Sequence, residues 1–102
     1  MSCMALKLRE QDNVATVLTD LKKGDVISVL CYGVVECITA LDDIHFGFKV
    51  STESINTGCG VIKYGEIIGR ASADIKTGEM VHIHNVEGAR GRGDMKEENN
   101  NA

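Results

Sequence analysis

The residues from Val61 to Asn85, VIKYGEIIGRASADIKTGEMVHIHN, place Lys63, Tyr64, Glu66, His82, His84 and Asn85 between regularly spaced glycines. His82-Ile83-His84 alternates polar and apolar, so a strand puts both imidazoles on one face and Ile83 on the packing side. On that reading both rings reach one ion, which makes His82 and His84 the candidate metal ligands and His84 a candidate catalytic group. Two ligands are not a site, and the sequence offers no convincing third, so hydrogen bonding to a turn stands beside ligation as an equal reading. Lys63 and Tyr64 are neighbours on a short strand and point to opposite sides, so only one of them faces His84. Lys63 and Glu66 complete the catalytic candidates; Lys63, Tyr64 and Asn85 are the substrate-binding ones. The plainer readings are a packed ring for Tyr64, a surface carboxylate for Glu66 and a turn cap for Asn85.

The elements that position these groups read as short strands. A chain of 102 residues is one small domain that buries roughly 60 to 65% of its unfolded surface. Aromatics are 4% of the residues, Trp is absent and Gly numbers 11, which favours an all-β fold of strands and tight turns. Four segments share the pattern apolar-x-x-Gly-x-x-apolar: Leu21/Gly24/Ile27, Ile44/Gly47/Val50, Ile55/Gly58/Val61 and Ile75/Gly78/Val81. Each is expected to be the same turn, with Gly at positive φ and Asp20, Asp43, Ser54 or Asp74 bracing it. Strands are expected near residues 13–18, 26–30, 34–40, 49–51, 61–64 and 81–84. The domain is read as 12–86, with 1–11 as a lead-in and 87–102 as a polar tail in which Arg90, Arg92 and Asp94 are free to dock on a partner.

Composition also excludes function classes. A net charge of −4 without a basic stripe, and too few aromatics for a stacking platform, argue against nucleic-acid binding. Cys3, Cys31, Cys37 and Cys59 form no CxxC pair and the N-terminus lacks a signal-peptide pattern, so free thiols and a cytoplasmic location are expected. No apolar run approaches the roughly 20 residues that span a bilayer, so no membrane partner is expected.

The order DNVATVL, VIKYGEIIG, ADIKTGEMVHIHN and RGRGD resembles the small SAF-type domain of the altronate and galactarate dehydratase family, over about residues 12–94. The resemblance implies a β-clip fold of short strands around a long bent hairpin. It implies loss of water from a sugar acid to give a 2-keto-3-deoxy acid, with a divalent metal, commonly iron, as cofactor. Lys63 would then neutralise the substrate carboxylate. It further implies a large dehydratase subunit as partner, because the chain stops just after the domain; a homo-oligomer is left open. The small subunit of a sulfolactate sulfo-lyase and a non-catalytic carbohydrate-binding or assembly module are the alternatives. One departure stands out. Where family members often carry a Pro-x-Gly-His-Lys-type sequence, this chain has His45-Phe46-Gly47-Phe48-Lys49, so Phe48 replaces the usual histidine. His45 is expected on the side opposite to Phe48.

Overall fold

The protein was studied as a computed structural model, which describes residues 3–88. The expectations for Arg90, Arg92 and Asp94 therefore lie outside the described residues. Nine strands follow in chain order: β1 (Cys3–Leu6), β2 (Val14–Val17), β3 (Val26–Cys31), β4 (Val34–Thr39), β5 (Lys49–Ser51), β6 (Gly60–Lys63), β7 (Glu66–Ala71), β8 (Met80–Val81) and β9 (Val86–Glu87). Six of them form one sheet in the order β4-β3-β1-β2-β5-β8, and β6-β7-β9 form a second. None of the described residues is helical. This is the all-β, small β-clip-type architecture that the sequence implies.

The four glycine turns work as two reciprocal pairs. Leu21 and Ile44 exchange backbone hydrogen bonds of 2.7 and 3.0 Å, and Ile55 and Ile75 exchange two of 2.8 Å. Each turn glycine sends its N–H across to the partner segment: Gly24 to Ala40, Gly47 to Val17, Gly58 to Ala71 and Gly78 to Ser51. All four have the expected positive φ, between 87° and 96°. The bracing differs from the expectation in its direction. The Asp20 carboxylate accepts from Phe46 N–H, Asp43 from Lys23 N–H and Asp74 from Thr57 N–H, so each aspartate holds the partner turn and not its own. Crossed braces need a short side chain aimed out of its turn, which Asp provides.

Each turn pair carries a core. Val17, Leu21, Ile27, Val29, Ile44 and Val50 pack with three alanines in the first, and Val14, Ile55, Val61, Ala71, Ile75 and Val81 in the second. The segment expected to be a lead-in is corrected by β1, which pairs in parallel with β3 and antiparallel with β2 and buries Ala5 completely. Its reason is non-local: a four-residue strand is worth forming because two neighbours satisfy both of its edges. β7 and β9 were likewise unexpected as strands, and β9 brings Val86–Glu87 into the second sheet. Gly69 lets that approach happen, since a Cβ there would meet Val86 Cγ1 and the Glu87 carbonyl oxygen at 2.7 Å.

Candidate functional site

His82-Ile83-His84-Asn85 is a turn and not the end of a strand; β8 stops at Val81. Asn85 dictates this. Its Oδ1 accepts from His82 N–H at 3.0 Å, its Nδ2 donates to Met80 O at 2.9 Å, and its own N–H donates to His82 O at 3.1 Å. The side chain competes with the sheet ladder for the backbone and closes the loop locally. The same-face argument for the two imidazoles is therefore corrected, and so is the inward placement of Ile83, which is 82% exposed. Asn85 itself is buried in the turn-holding role. His82 and His84 are both exposed.

His82 is not isolated. Its ring lies 4.9 Å from that of Phe48, and His45 meets Phe48 edge-on at 6.3 Å. The expected separation of His45 from Phe48 is corrected too, because residues 45–48 close a turn through Phe48 N–H to His45 O at 3.1 Å, which brings the two rings together. Asp20 lies 3.8 Å from His45 Nδ1. A shallow cleft of about 260 Å³ runs beside His82 and Ile83, walled by Lys49, Ile68 and Val86.

Lys63, Tyr64 and Glu66 occupy a different place, the tip of the β6–β7 hairpin. Lys63 pairs with Glu66 across the turn, whereas Ala71 at the other end of β7 pairs with Val86 beside Asn85. Five residues of strand hold the two groups roughly 17 Å apart along β7. Neither Lys63 nor Tyr64 faces His84. The Lys63 ammonium instead sits 4.6 Å from the Tyr64 ring centroid, a cation–π contact that turns the tyrosine into a support for the charge. Tyr64 has φ 58° and Gly65 φ 74°, so the tip is a tight turn with a tyrosine in the left-handed region.

What secures that turn is a residue outside the candidate set. Asp12, 2% exposed, accepts from Arg9 N–H at 3.2 Å, Tyr64 N–H at 3.0 Å and Gly65 N–H at 2.8 Å. Asn13 beside it accepts from Ile62 N–H at 2.7 Å and donates to Gly60 O at 3.0 Å. Together the pair fastens the second hairpin to β2. An Asp-Asn dipeptide just before a β-branched run was the visible signal, although its partners lie about half the chain away.

A family profile described as the altronate/galactarate dehydratase SAF domain matches residues 3–89. The chain belongs to that family. It is 42% identical to an altronate dehydratase of Bacillus subtilis (strain 168) over 82 residues, 80% of this chain and 16% of the relative. An altronate dehydratase of Escherichia coli (strain K12) is 41% identical over 81 residues, 79% of this chain and 16% of that protein. The (2R)-sulfolactate sulfo-lyase subunit alpha of Paracoccus pantotrophus is 42% identical over 50 residues, 49% of this chain and 75% of the subunit. The matched SAF domain thus spans about a sixth of the two dehydratases.

In this SAF domain the described residues do not fit a complete metal centre. No three His, Cys, Asp or Glu side chains among them come together to hold an ion, and His82 has an apolar ring as its neighbour. The four cysteines are free, with Cys37 and Cys59 exposed. No helix among the described residues is long and apolar enough to cross a membrane.

Proposed function

We propose that this SAF domain completes the active site of a sugar-acid dehydratase, as a small subunit whose large partner supplies most of the elimination site. The observation that carries the reading is the His82–Asn85 turn. A rigidly closed turn that exposes 82% of an isoleucine between two imidazoles is suited to being covered by another protein surface. Family membership supplies the chemistry of the covered site: a proton leaves the carbon beside the carboxylate and a hydroxyl leaves the next carbon. Against that surface His84 is the group placed to move a proton, while His82 is oriented by Phe48. Lys63 and Glu66 lie at the far hairpin tip and take no part in the same site. No step is routed through a metal, because the donors on this chain do not make a centre.

The test is reconstitution. The 102-residue chain alone should not turn over altronate or galactarate, and adding the large dehydratase-family chain of its source organism should restore turnover. Turnover by the isolated chain, or full activity of the large chain without it, would end this reading. The similarity to a sulfo-lyase subunit, which the alignment covers over 75% of its length, favours a second reading in which sulfite leaves instead of water. Assaying the reconstituted pair for sulfite release from sulfolactate separates the two.

A further inference from the structure

The two halves of the chain repeat one another: Leu21, Gly24, Ile27, Tyr32-Gly33, Ile44 and Gly47 recur as Ile55, Gly58, Val61, Tyr64-Gly65, Ile75 and Gly78. The two Tyr-Gly hairpin tips share one backbone conformation, φ 48° and 79° in the first and 58° and 74° in the second. Two consecutive N–H groups in that conformation form a shallow nest for an anion. In the second half the nest is filled, since the Asp12 carboxylate bonds both amides. In the first half the amides of Tyr32 and Gly33 have no acceptor among the described residues.

The loop that carries Asp12 also serves the empty tip. Lys7, Arg9, Glu10 and Gln11 line a cleft of about 430 Å³ together with Tyr32 and Glu36. Neither Lys7 nor Arg9 forms an ion pair among the described residues, and neither do Glu10 and Glu36. The loop is held in place from below by the Arg9 N–H to Asp12 bond and the buried carboxylate, so the cations are carried on a fixed support.

From this internal template we infer that the Tyr32-Gly33 turn and its cleft bind the carboxylate of a small hydroxylated organic acid. The ligand carboxylate takes at Tyr32 and Gly33 the place that Asp12 takes at Tyr64 and Gly65, with Arg9 and Lys7 supplying charge-assisted contacts. Glu10 and Glu36 disfavour a second negative charge and accept hydrogen bonds from hydroxyls, which sets the ligand class as a hydroxylated monocarboxylate. The cleft is within the size range of small-molecule sites. This site is separate from the His82 turn and does not depend on the dehydratase reading.

The experiment is an amide-resolved NMR titration of the full 102-residue chain with gluconate, propionate and glycerol. Gluconate should shift the Tyr32 and Gly33 amide signals saturably while leaving those of Tyr64 and Gly65, already bonded to Asp12, nearly still. Propionate should bind more weakly and glycerol not at all. The double variant Lys7→Gln, Arg9→Gln should weaken gluconate by about tenfold or more, the scale of one lost charge-assisted contact. Both side chains are solvent-accessible, and an unchanged amide spectrum outside the cleft verifies that the variant folds. Absence of saturable shifts at Tyr32 and Gly33, equal binding of glycerol or propionate, or unchanged affinity in the folded double variant would each overturn the inference.

Discussion

The Phe48 ring lies against the His82 imidazole, with centroids 4.9 Å apart and planes tilted by 44°, and His45 closes on the other side of the same ring. The residue standing where related sequences often carry histidine is therefore the one between two histidines. Phe48→His would place three imidazoles in one cluster, enough ligands for a divalent ion with one open position. Phe48 also packs against the first core, so the substitution should cost about 1 to 3 kcal/mol in metal-free buffer. Zinc at roughly a hundred times its dissociation constant should then return about 2.7 kcal/mol to the variant. Thermal unfolding with chelator and with zinc reads both effects, and a variant indifferent to zinc would show that the three rings do not converge.

Ile83 behaves as a surface residue despite its type. Ile83→Ala should change the stability of the isolated chain by no more than about 0.5 kcal/mol, whereas Ile75→Ala, at a site 1% exposed, should cost about 2 to 5 kcal/mol. In the reconstituted enzyme the order reverses: Ile83→Asp should weaken association with the large chain, and His84→Ala should remove turnover without affecting assembly. Denaturant titration of the chain and activity of the complex check the two halves. If Ile83→Asp assembles normally, the exposed turn is not the contact surface.

The sequence made the local devices legible and hid the long-range ones. The glycine turns were readable because a positive φ is a property of a single position and its spacing. The partners of those turns were not, since nothing local links Asp20 to Phe46 or Asp74 to Thr57. His82-Ile83-His84 looked like a strand because alternation was counted and the capture of His82 N–H by Asn85 was not. β1 escaped notice because CMAL has little strand character on its own and gains its burial from β2 and β3. Asp12 gathers donors from positions 9, 64 and 65, a constellation that no window of sequence contains.

That constellation makes Asp12 the most sensitive polar position outside the two cores. Asp12→Ala removes the acceptor of three N–H groups and leaves Tyr64 held at positive φ with nothing to stabilise the turn. The expected cost is about 2 to 4 kcal/mol, from unsatisfied donors and lost charge-assisted bonds. Asp12→Asn retains one carbonyl oxygen and should lose less. Chemical denaturation of the two variants reads the difference; equal stability of Asp12→Ala and the parent chain would mean that the turn does not need its carboxylate.

Asp74 predicts an acid-sensitive brace. Its carboxyl is held below the ordinary value of 3.8, first by Thr57 N–H and then by the Thr57 hydroxyl, both at 2.8 Å. A depressed folded-state pKa means that the unfolded chain binds the proton more readily, so the contribution is fully present above pH 3.8 and fades as pH falls below it. The group is fully exposed, so the effect is small. Stability against pH of Asp74→Asn should run flatter than that of the parent chain on the acid side, and parallel curves there would remove this role.

Gly78 and Gly47 separate two reasons for glycine. Both have positive φ, 96° and 90°, but a Cβ on Gly47 meets nothing within 4 Å, whereas one on Gly78 would collide with the Thr39 carbonyl oxygen and press on Leu41. Gly47→Ala therefore bears the backbone strain alone, about 1 to 3 kcal/mol. Gly78→Ala adds a steric clash where Leu41 N–H donates to Gly78 O at 2.9 Å, the bond that ties the second turn pair to the first. Its cost should exceed that of Gly47→Ala by at least about 2 kcal/mol, the scale of overpacking a fitted contact. Denaturant midpoints of the two alanine variants give the comparison. If they coincide, the two turn pairs are not packed as closely as Gly78 and Thr39 indicate.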